Sequence, residues 1–180
     1  FHMGEHGFYD KRAAFEPSIR IPMLVWAPGL IKPGTHVEPL VQNIDIAPTV
    51  LDVMKVAKPD DAEWAGASFR PLLEGRKIPW REYVLYEYHW EWNFPATPTM
   101  LAIRNERYKY VYYHGVWDID SFHDLLLDPA ERHNLIDVPE YQARIQAMRK
   151  TMFADFEARG GLNAPIRVPL GERLDQRKLP

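Results

Sequence analysis

Apolar residues in the first part of this chain recur in patterns typical of particular elements. Residues 21–27, IPMLVWA, form a short apolar run that predicts a buried strand. Residues 46–55 carry apolar side chains at helical spacing, and Asp45 just before them predicts a helix with an aspartate N-cap. A shorter helix is predicted over 68–73, opened by a capping serine and ended by a glycine. This half therefore predicts mixed α and β structure.

After residue 79 the pattern changes to alternating aromatic and polar positions. Residues 83–89, 101–105 and 108–114 predict strands, and 122–126 predict a short fourth one. No helical pattern separates them, so we expect a small antiparallel sheet. Residues 139–159 predict the clearest helix, which would cover one face of that sheet. Its apolar stripe comprises Tyr141, Ile145, Met148, Met152 and Phe156.

These patterns divide the chain into three parts. Residues 1–78 predict a mixed α and β part, 79–160 the antiparallel-sheet subdomain with its long helix, and 161–180 an extended tail. The fold class is therefore α/β. A length of 180 residues and 46% hydrophobic content suit a folded core.

Composition excludes several functional classes. The formal charge of -3 gives no general reason to expect nucleic acid or an anionic membrane as partner. The absence of cysteine excludes disulfides and thiolate metal sites. No apolar run reaches membrane-spanning length. The basic residues Arg104, Arg107 and Lys109 alternate with tyrosines, and we interpret them as a solvated sheet face.

Candidate chemistry concentrates in residues 4–12, GEHGFYDKR. Two glycines bracket an acid and an imidazole, which predicts an irregular loop carrying titratable groups before the expected strand. Residue types alone fit a solvated surface loop equally well. The string HMGEH over 2–6 matches the H-x-x-E-H pattern of zinc peptidases, but Gly4 argues against the helix that this pattern needs, and we reject a zinc site.

Several segments, in order, resemble the later active-site region and C-terminal subdomain of type I sulfatases of the alkaline phosphatase superfamily. The resemblance covers nearly the whole chain and implies the end of an alkaline-phosphatase-like α/β domain followed by the small sheet. The segments are 4–12 GEHGFYDKR, 16–22 EPSIRIP, 28–34 PGLIKPG, 42–52 QNIDIAPTVLD, 107–110 RYKY and 124–135 DLLLDPAERHNL.

The resemblance implies roles for the loop residues. Lys11 corresponds to a lysine that contacts the sulfate group, where an ammonium offsets developing charge. His6 would line the pocket and donate to a sulfate oxygen or protonate a leaving alkoxide. Asp10 and Arg12 would hydrogen-bond substrate hydroxyls, and a structural ion pair explains them equally well. We assign Lys11 and His6 as catalytic and Asp10 and Arg12 as substrate-binding candidates.

An aromatic segment follows the first predicted strand of the sheet. His89 and Trp90 are substrate-binding candidates because flat rings suit sugar faces, although aromatic residues at strand spacing more often form core. Residues 90–95, WEWNFP, read as a loop whose rings could project toward a pocket.

The resemblance also implies parts that this chain lacks. Type I sulfatases use a formylglycine made from Cys or Ser in a Cys/Ser-x-Pro-x-Arg motif, with Ca²⁺ polarising the sulfate. The serines Ser18, Ser68 and Ser121 lack that context. We therefore interpret the chain as a fragment without signal peptide, nucleophile or metal ligands, which we expect before Phe1.

The implied function is hydrolysis of a sulfated carbohydrate or an aryl sulfate by the parent protein, the fragment alone being inactive. A phosphonate or phosphate ester hydrolase of the same superfamily and a non-catalytic binding module remain alternatives. The resemblance is compatible with a periplasmic or secreted protein, and the oligomeric state stays open.

Overall fold

Four antiparallel strands form the centre of the computed structural model, which describes residues 1–59, 63–114 and 119–161. They pair in chain order, so each strand neighbours the next along the sequence. The predicted antiparallel sheet is confirmed. The strands are β1 Val84–Tyr88, β2 Thr99–Arg104, β3 Tyr108–His114 and β4 Ser121–Asp124.

The turn between β2 and β3 is held by the side chain of Asn105. Its Oδ1 accepts hydrogen bonds from the N–H groups of Arg107 at 2.9 Å and Tyr108 at 2.7 Å. Its own N–H donates to the Tyr108 carbonyl at 3.0 Å. An asparagine side chain that satisfies turn N–H groups is a recurrent hairpin device, and here it fixes the register of the two central strands.

The C-terminal helix packs on one face of the sheet. This helix, α4, spans Gln142–Ala158 after a 3₁₀ turn over Pro139–Tyr141, and ends before Gly160, whose φ is 71°. Its buried stripe meets the alternate strand positions that face it, as the sequence predicts. The buried residues of this core are Leu101, Ile103, Tyr108, Tyr110, Phe122, Ile145, Met148, Met152 and Phe156.

The opposite face of the sheet is covered by the chain's first segment. Ala14 packs there with Met100, Ala102 and Val111, the positions that alternate with those facing α4. A short helix, α1, follows at Glu16–Ile19. The sheet is therefore sandwiched between the chain's first segment and its last described helix.

Two further helices come between α1 and β1 along the sequence. The helix α2 spans Ile46–Met54, as predicted, and α3 spans Arg70–Leu73. The predicted Ser68 cap is wrong, since Phe69 occupies the N-cap position of α3, although the Ser68 hydroxyl accepts from the Arg70 N–H at 3.3 Å. A separate small core forms around α3. Its members are Phe69, Leu72 and Leu73, with Ile31, Val37, Val41, Ile78 and Trp80 packed against them.

Asp45 occupies the N-cap position of α2, as predicted, but its carboxylate makes no capping hydrogen bond there and instead accepts across the preceding 3₁₀ turn over Asn43–Asp45. The fully buried carboxylate accepts from the N–H groups of Gln42 at 2.7 Å and Ala67 at 2.9 Å. Arg81 pairs with it through both terminal nitrogens. Asp45 is therefore a buried junction of three chain segments.

The predicted strand over 21–27 is wrong for the described residues. The segment forms no strand, and its apolar side chains are exposed, with Leu24 97% and Trp26 89% accessible. A strand needs a neighbour to complete its backbone hydrogen bonds, and no described strand lies beside this one.

Gly66 lies against backbone where a side chain has no room. A Cβ there would lie 1.9 Å from the Ile44 carbonyl oxygen, a separation that real Cβ atoms do not show. We expect Gly66→Ala to lower the free energy of unfolding by about 3 kcal/mol or more, because backbone cannot move aside as a side chain can. Chemical denaturation would measure this, with Ala65→Ser at the exposed neighbouring position as control. Equal stability of the two variants would contradict the close approach.

Two further expectations concern the C-terminal tail and membrane-spanning segments. The tail predicted for 161–180 lies, apart from residue 161, outside the described residues. Within the described ranges, no helix combines the length and apolarity that crossing a membrane requires. The division at residues 78 and 160 stays a prediction.

Candidate active-site loop

The glycine-flanked segment folds into a closed loop, which we call the first loop, residues 2–12. The His2 N–H donates to the Asp10 carbonyl at 2.7 Å, and the Gly4 N–H donates to the Phe8 carbonyl at 3.0 Å. Between them, Glu5–Gly7 makes one 3₁₀ turn. Gly4 and Gly7 have φ values of 121° and 75°, which glycine adopts without strain. The pattern of glycines thus produces the irregular loop that the sequence predicts.

His6 is exposed at the tip of this loop and rests on an aromatic ring. Its imidazole stacks on Phe15, with centroids 3.9 Å apart and planes 10° apart. The other neighbours of Phe15 include His123, at 6.0 Å between centroids. His6 itself has a φ of 55°, a value that costs energy for a residue with a Cβ. Stacking on Phe15 therefore holds one face of the His6 imidazole, while the edge of the ring is exposed and can reach a ligand.

His123 supports this stack as a neutral ring. Burial, together with the charge of Lys109, lowers the pKa of His123 to about 4. Since a neutral imidazole carries one N–H and the His133 carbonyl lies 3.0 Å from Nδ1, that nitrogen donates to the carbonyl. Because this hydrogen bond fixes the tautomer and orientation of His123, Phe15 packs against a ring that is held in one position.

His2 is fully buried beneath the same loop, and sequence reasoning assigned it no role. Neither of its ring nitrogens has a hydrogen-bond partner among the described residues. Burial, and secondarily the nearby His6, lowers the pKa of His2, so its ring is neutral near pH 7. The H-x-x-E-H string that contains it adopts a 3₁₀ turn, without the α-helix that a zinc peptidase motif needs.

Lys11 is exposed. Its backbone N–H donates to Asp10 Oδ1 at 2.6 Å, and its carbonyl accepts from the Ser18 hydroxyl. Its ammonium makes no ion pair within the described ranges. The backbone of Lys11 is thus fixed while its charge stays available, and its contact with a sulfate remains a prediction.

Arg12 makes three contacts at once. Its guanidinium pairs with Asp10, lies 3.7 Å from Glu91 Oε1, and covers the Phe94 ring with Cζ 3.1 Å from the centroid. The structural ion pair between Asp10 and Arg12, one of the two explanations left open by the sequence, is therefore present. Glu91 and Phe94 belong to the aromatic segment, so the structure brings two sets of predicted site residues together.

That aromatic segment, residues 89–98, is a loop between β1 and β2, which we call the aromatic loop. The Trp90 N–H donates to the Thr99 hydroxyl at 2.8 Å, and its indole N–H donates to the Pro95 carbonyl at 3.2 Å. His89 Nε2 lies 3.4 Å from Glu87 Oε2. Both predicted binding residues are half-buried, and their contact with substrate remains a prediction.

The basic positions interpreted as a solvated face are engaged in ion pairs, and that interpretation is wrong for Arg104 and Lys109, while Arg107 is exposed. Arg107 binds the buried carboxylate of Asp124 at 2.8 Å, while Arg104 binds Glu16 at 3.0 Å. Lys109 is 0% exposed and pairs with Glu16 at 3.3 Å and with Glu131. The reason, for Arg104 and Lys109, is that the first segment covers this face of the sheet and supplies Glu16.

We call Glu16, Arg104, Lys109 and Glu131 the buried ion network. Glu131 also accepts from the Glu16 backbone N–H at 2.6 Å. Glu131 therefore binds both the Lys109 side chain and the backbone of the segment that carries Glu16. Burial opposes ionisation of Glu16, but Lys109 and the hydrogen bonds from Arg104 outweigh it and lower the pKa of Glu16. The network ties the segment after the first loop to β2, β3 and the turn after β4.

Calcium binding needs several oxygen ligands around one point. No group of three or more potential ligands of the kinds Asp, Glu, His and Cys converges anywhere in the described ranges.

Comparison with known proteins supplies the family. Residues 4–157 match the model of the N-sulphoglucosamine sulphohydrolase C-terminal family. The chain belongs to this sulfatase family. The match includes most of the first loop, the whole sheet and nearly all of α4, so it agrees with the resemblance to the C-terminal portion of a sulfatase.

Individual relatives agree with this family. The chain is 34% identical over 147 residues to an N-acetylglucosamine-6-O-sulfatase of Bacteroides thetaiotaomicron, covering 78% of this chain and 25% of that protein. It is 31% identical over 160 residues to an arylsulfatase of Clostridium perfringens, covering 87% and 32%. The chain thus spans a quarter to a third of the length of these two relatives.

Solved structures confirm the fold. A structure of BT4656 in complex with its substrate D-glucosamine-2-N,6-O-disulfate superposes with a TM-score of 0.81 at 29% identity. The superposition covers 93% of this sulfatase chain and 34% of that one. The mixed α/β class, with an antiparallel sheet and a C-terminal helix, is therefore confirmed.

Proposed function

We propose that the full-length protein hydrolyses sulfate esters of amino sugars, and that this chain supplies one wall of its active site. Three observations support the substrate class: one relative is an N-acetylglucosamine-6-O-sulfatase, another protein of the same fold binds a sulfated glucosamine, and the family model is that of a sulphoglucosamine sulphohydrolase. The role of this chain as a wall of the active site rests on the closed first loop. That loop fixes the backbone of Lys11 and leaves its ammonium free.

In this proposal each candidate residue has one task. The Lys11 ammonium offsets negative charge as the bond between sulfur and the leaving oxygen breaks. His6, supported by Phe15, donates a proton to the departing alkoxide. Asp10 contacts sugar hydroxyls, and His89 and Trp90 contact the faces or edges of the sugar ring.

The nucleophile and the calcium implied by the resemblance would come from residues outside this chain. The described residues supply no group of ligands for a metal, so the tasks above involve proton transfer, charge and positioning alone. We also propose a periplasmic or secreted location, which the resemblance to type I sulfatases supports.

Replacing Lys11 tests this function directly. In the full-length protein we expect Lys11→Ala to lower kcat for N-acetylglucosamine 6-sulfate at least about tenfold, which corresponds to roughly 1.4 kcal/mol of barrier. The reason is that the ammonium acts on charge that grows in the transition state. Steady-state kinetics would measure it, with Lys150→Ala, at an exposed position of α4, as matched control.

Three outcomes would contradict parts of this proposal. Unchanged turnover in Lys11→Ala would remove Lys11 from its role. Turnover of a phosphate or phosphonate ester in place of any sulfate ester would favour the other hydrolase class of the superfamily. Binding of the sulfated sugar without turnover by the wild-type protein would favour a binding module.

A further inference from the structure

Arg12 joins the first loop to the aromatic loop. Its guanidinium lies between two carboxylates, Asp10 from its own loop and Glu91 from the aromatic loop. Its plane also covers the ring of Phe94, three residues beyond Glu91. The Arg12 side chain is 20% exposed, so most of this contact is shielded from water. A shielded cation on an aromatic face is stronger than an exposed one.

Charge makes this contact necessary for the observed arrangement. Asp10 and Glu91 carry like charges, and with Arg12 removed they would face each other across the contact without a cation. Asp10 also accepts the N–H of Lys11 at 2.6 Å, so the group that binds Arg12 is the one that fixes the Lys11 backbone. The position of the aromatic loop is thereby coupled to the position of Lys11.

The aromatic loop is ordered from its other side as well. The Phe94 N–H donates to the Glu91 carbonyl at 3.1 Å, and the Thr97 N–H donates to the Phe94 carbonyl at 3.0 Å. These turns form one unit with Trp90, whose indole donates to Pro95. A contact at Phe94 therefore helps to hold the neighbouring Pro95 carbonyl, which accepts from the Trp90 indole.

We propose that Arg12 is a positioning residue that clamps the aromatic loop, through Glu91 and Phe94, beside Lys11, and that the clamped loop selects the sugar that carries the sulfate. This inference rests on the proposed function for its substrate. It assigns specificity to a contact between two loops, with Glu91 and Phe94 acting without touching the substrate.

Kinetics of a Phe94 variant test the specificity. In the full-length protein we expect Phe94→Leu to raise KM for N-acetylglucosamine 6-sulfate about tenfold, a size that loss of a shielded cation–π contact can produce. Its kcat for that sugar, and both constants for the small substrate 4-nitrophenyl sulfate, should stay unchanged, because Phe94→Leu leaves in place the Asp10 contact that fixes the Lys11 backbone. A uniform loss with both substrates, or an unchanged KM for the sugar, would overturn the assignment.

A second variant separates positioning from direct binding. Arg12→Lys keeps the charge but loses the planar group that covers Phe94, so it should raise the same KM, and the double variant with Phe94→Leu should add little. If Arg12→Lys alone raised KM while Phe94→Leu did not, Arg12 would touch the sugar directly and the clamp would be rejected. Arg144→Lys is the matched control, since Arg144 lies over Tyr108 at 4.3 Å, on the α4 side of the sheet.

Hydrogen exchange tests the clamp independently of turnover. Amides of residues 89–98 should exchange faster in Arg12→Lys and Phe94→Leu than in the wild type or in Arg144→Lys. Unchanged exchange would overturn the clamp whatever the kinetics show. If the wild-type protein hydrolysed no sulfate ester, the proposed function would fail, while the exchange result would still decide whether Arg12 holds the loop.

Discussion

Replacing Lys109 by methionine should lower the free energy of unfolding of the full-length protein by about 3–5 kcal/mol. Methionine fills similar space, so the loss comes from charge more than from packing. Lys109 is the cation that pairs with Glu131, and both side chains are completely buried. Without it, the Glu131 carboxylate would stay in the interior with the Glu16 N–H as its partner from the network. Denaturant unfolding would measure the loss, with Lys150→Met at an exposed position as control.

A double variant separates this explanation from a simple packing defect. Lys109→Met combined with Glu131→Gln removes both buried charges, so it should recover part of the stability lost in Lys109→Met. A double variant less stable than the single one would contradict the role given to the unpaired charge.

The same network predicts a dependence on pH. The pKa of Glu16 is lowered, so ionised Glu16 contributes stability above the ordinary Glu pKa, and that contribution is lost as pH falls through the lowered value. Lys109 is one cause of the lowering, so the Lys109→Met variant should lose less stability over that acidic range than the wild type does.

The alternation of side chains was enough to predict the sheet. The strand over 108–114 has the predicted bounds, because Tyr108, Tyr110 and Tyr112 repeat every second residue and pack into the core beneath α4. The stripe of α4 was equally readable, since four of its five predicted positions are buried. In both elements, one buried face leaves a periodic record in the sequence.

The sheet face that the first segment covers shows no such periodicity in the sequence. Lys109 occupies the side opposite to Tyr108 and Tyr110, where alternation alone predicts solvent. What buries it is a segment about 90 residues away in sequence, which carries Glu16. The available signal was the pair of acids, Glu16 and Glu131, within segments that resemble the family, and charge pairing over such separations cannot be read from periodicity.

The run over 21–27 failed for a related reason. Its composition is that of a buried strand, but burial requires a neighbour, and the described residues provide none at Leu24 and Trp26. In the candidate site, the loop and its glycines were predictable, while the clamp by Arg12 was not, since Glu91 and Phe94 are brought to it by the β1–β2 connection.

Asp45→Asn should cost about as much as Lys109→Met, about 3–5 kcal/mol, although it changes one atom in a side chain of the same shape. Arg81 would lose its anionic partner, and the new amide N–H₂ would face Arg81 together with the N–H of either Gln42 or Ala67, all of which are donors. No rotation of the amide satisfies both sides, because each carboxylate oxygen accepts from Arg81 and from one backbone N–H.

The loss should be concentrated where Asp45 joins the chain. The Asp45 carbonyl also accepts from the Thr49 hydroxyl, whose oxygen accepts from the Phe69 N–H, so the junction leads directly into α2 and the small core around α3. Hydrogen exchange should therefore accelerate in residues 42–54 and 67–73 before it does in the sheet. Asp137→Asn, an exposed aspartate of the same charge, is the matched control. If Asp45→Asn were as stable as that control, the buried carboxylate would be no more than a replaceable hydrogen-bond acceptor, and the ion pair with Arg81 would contribute nothing to the fold.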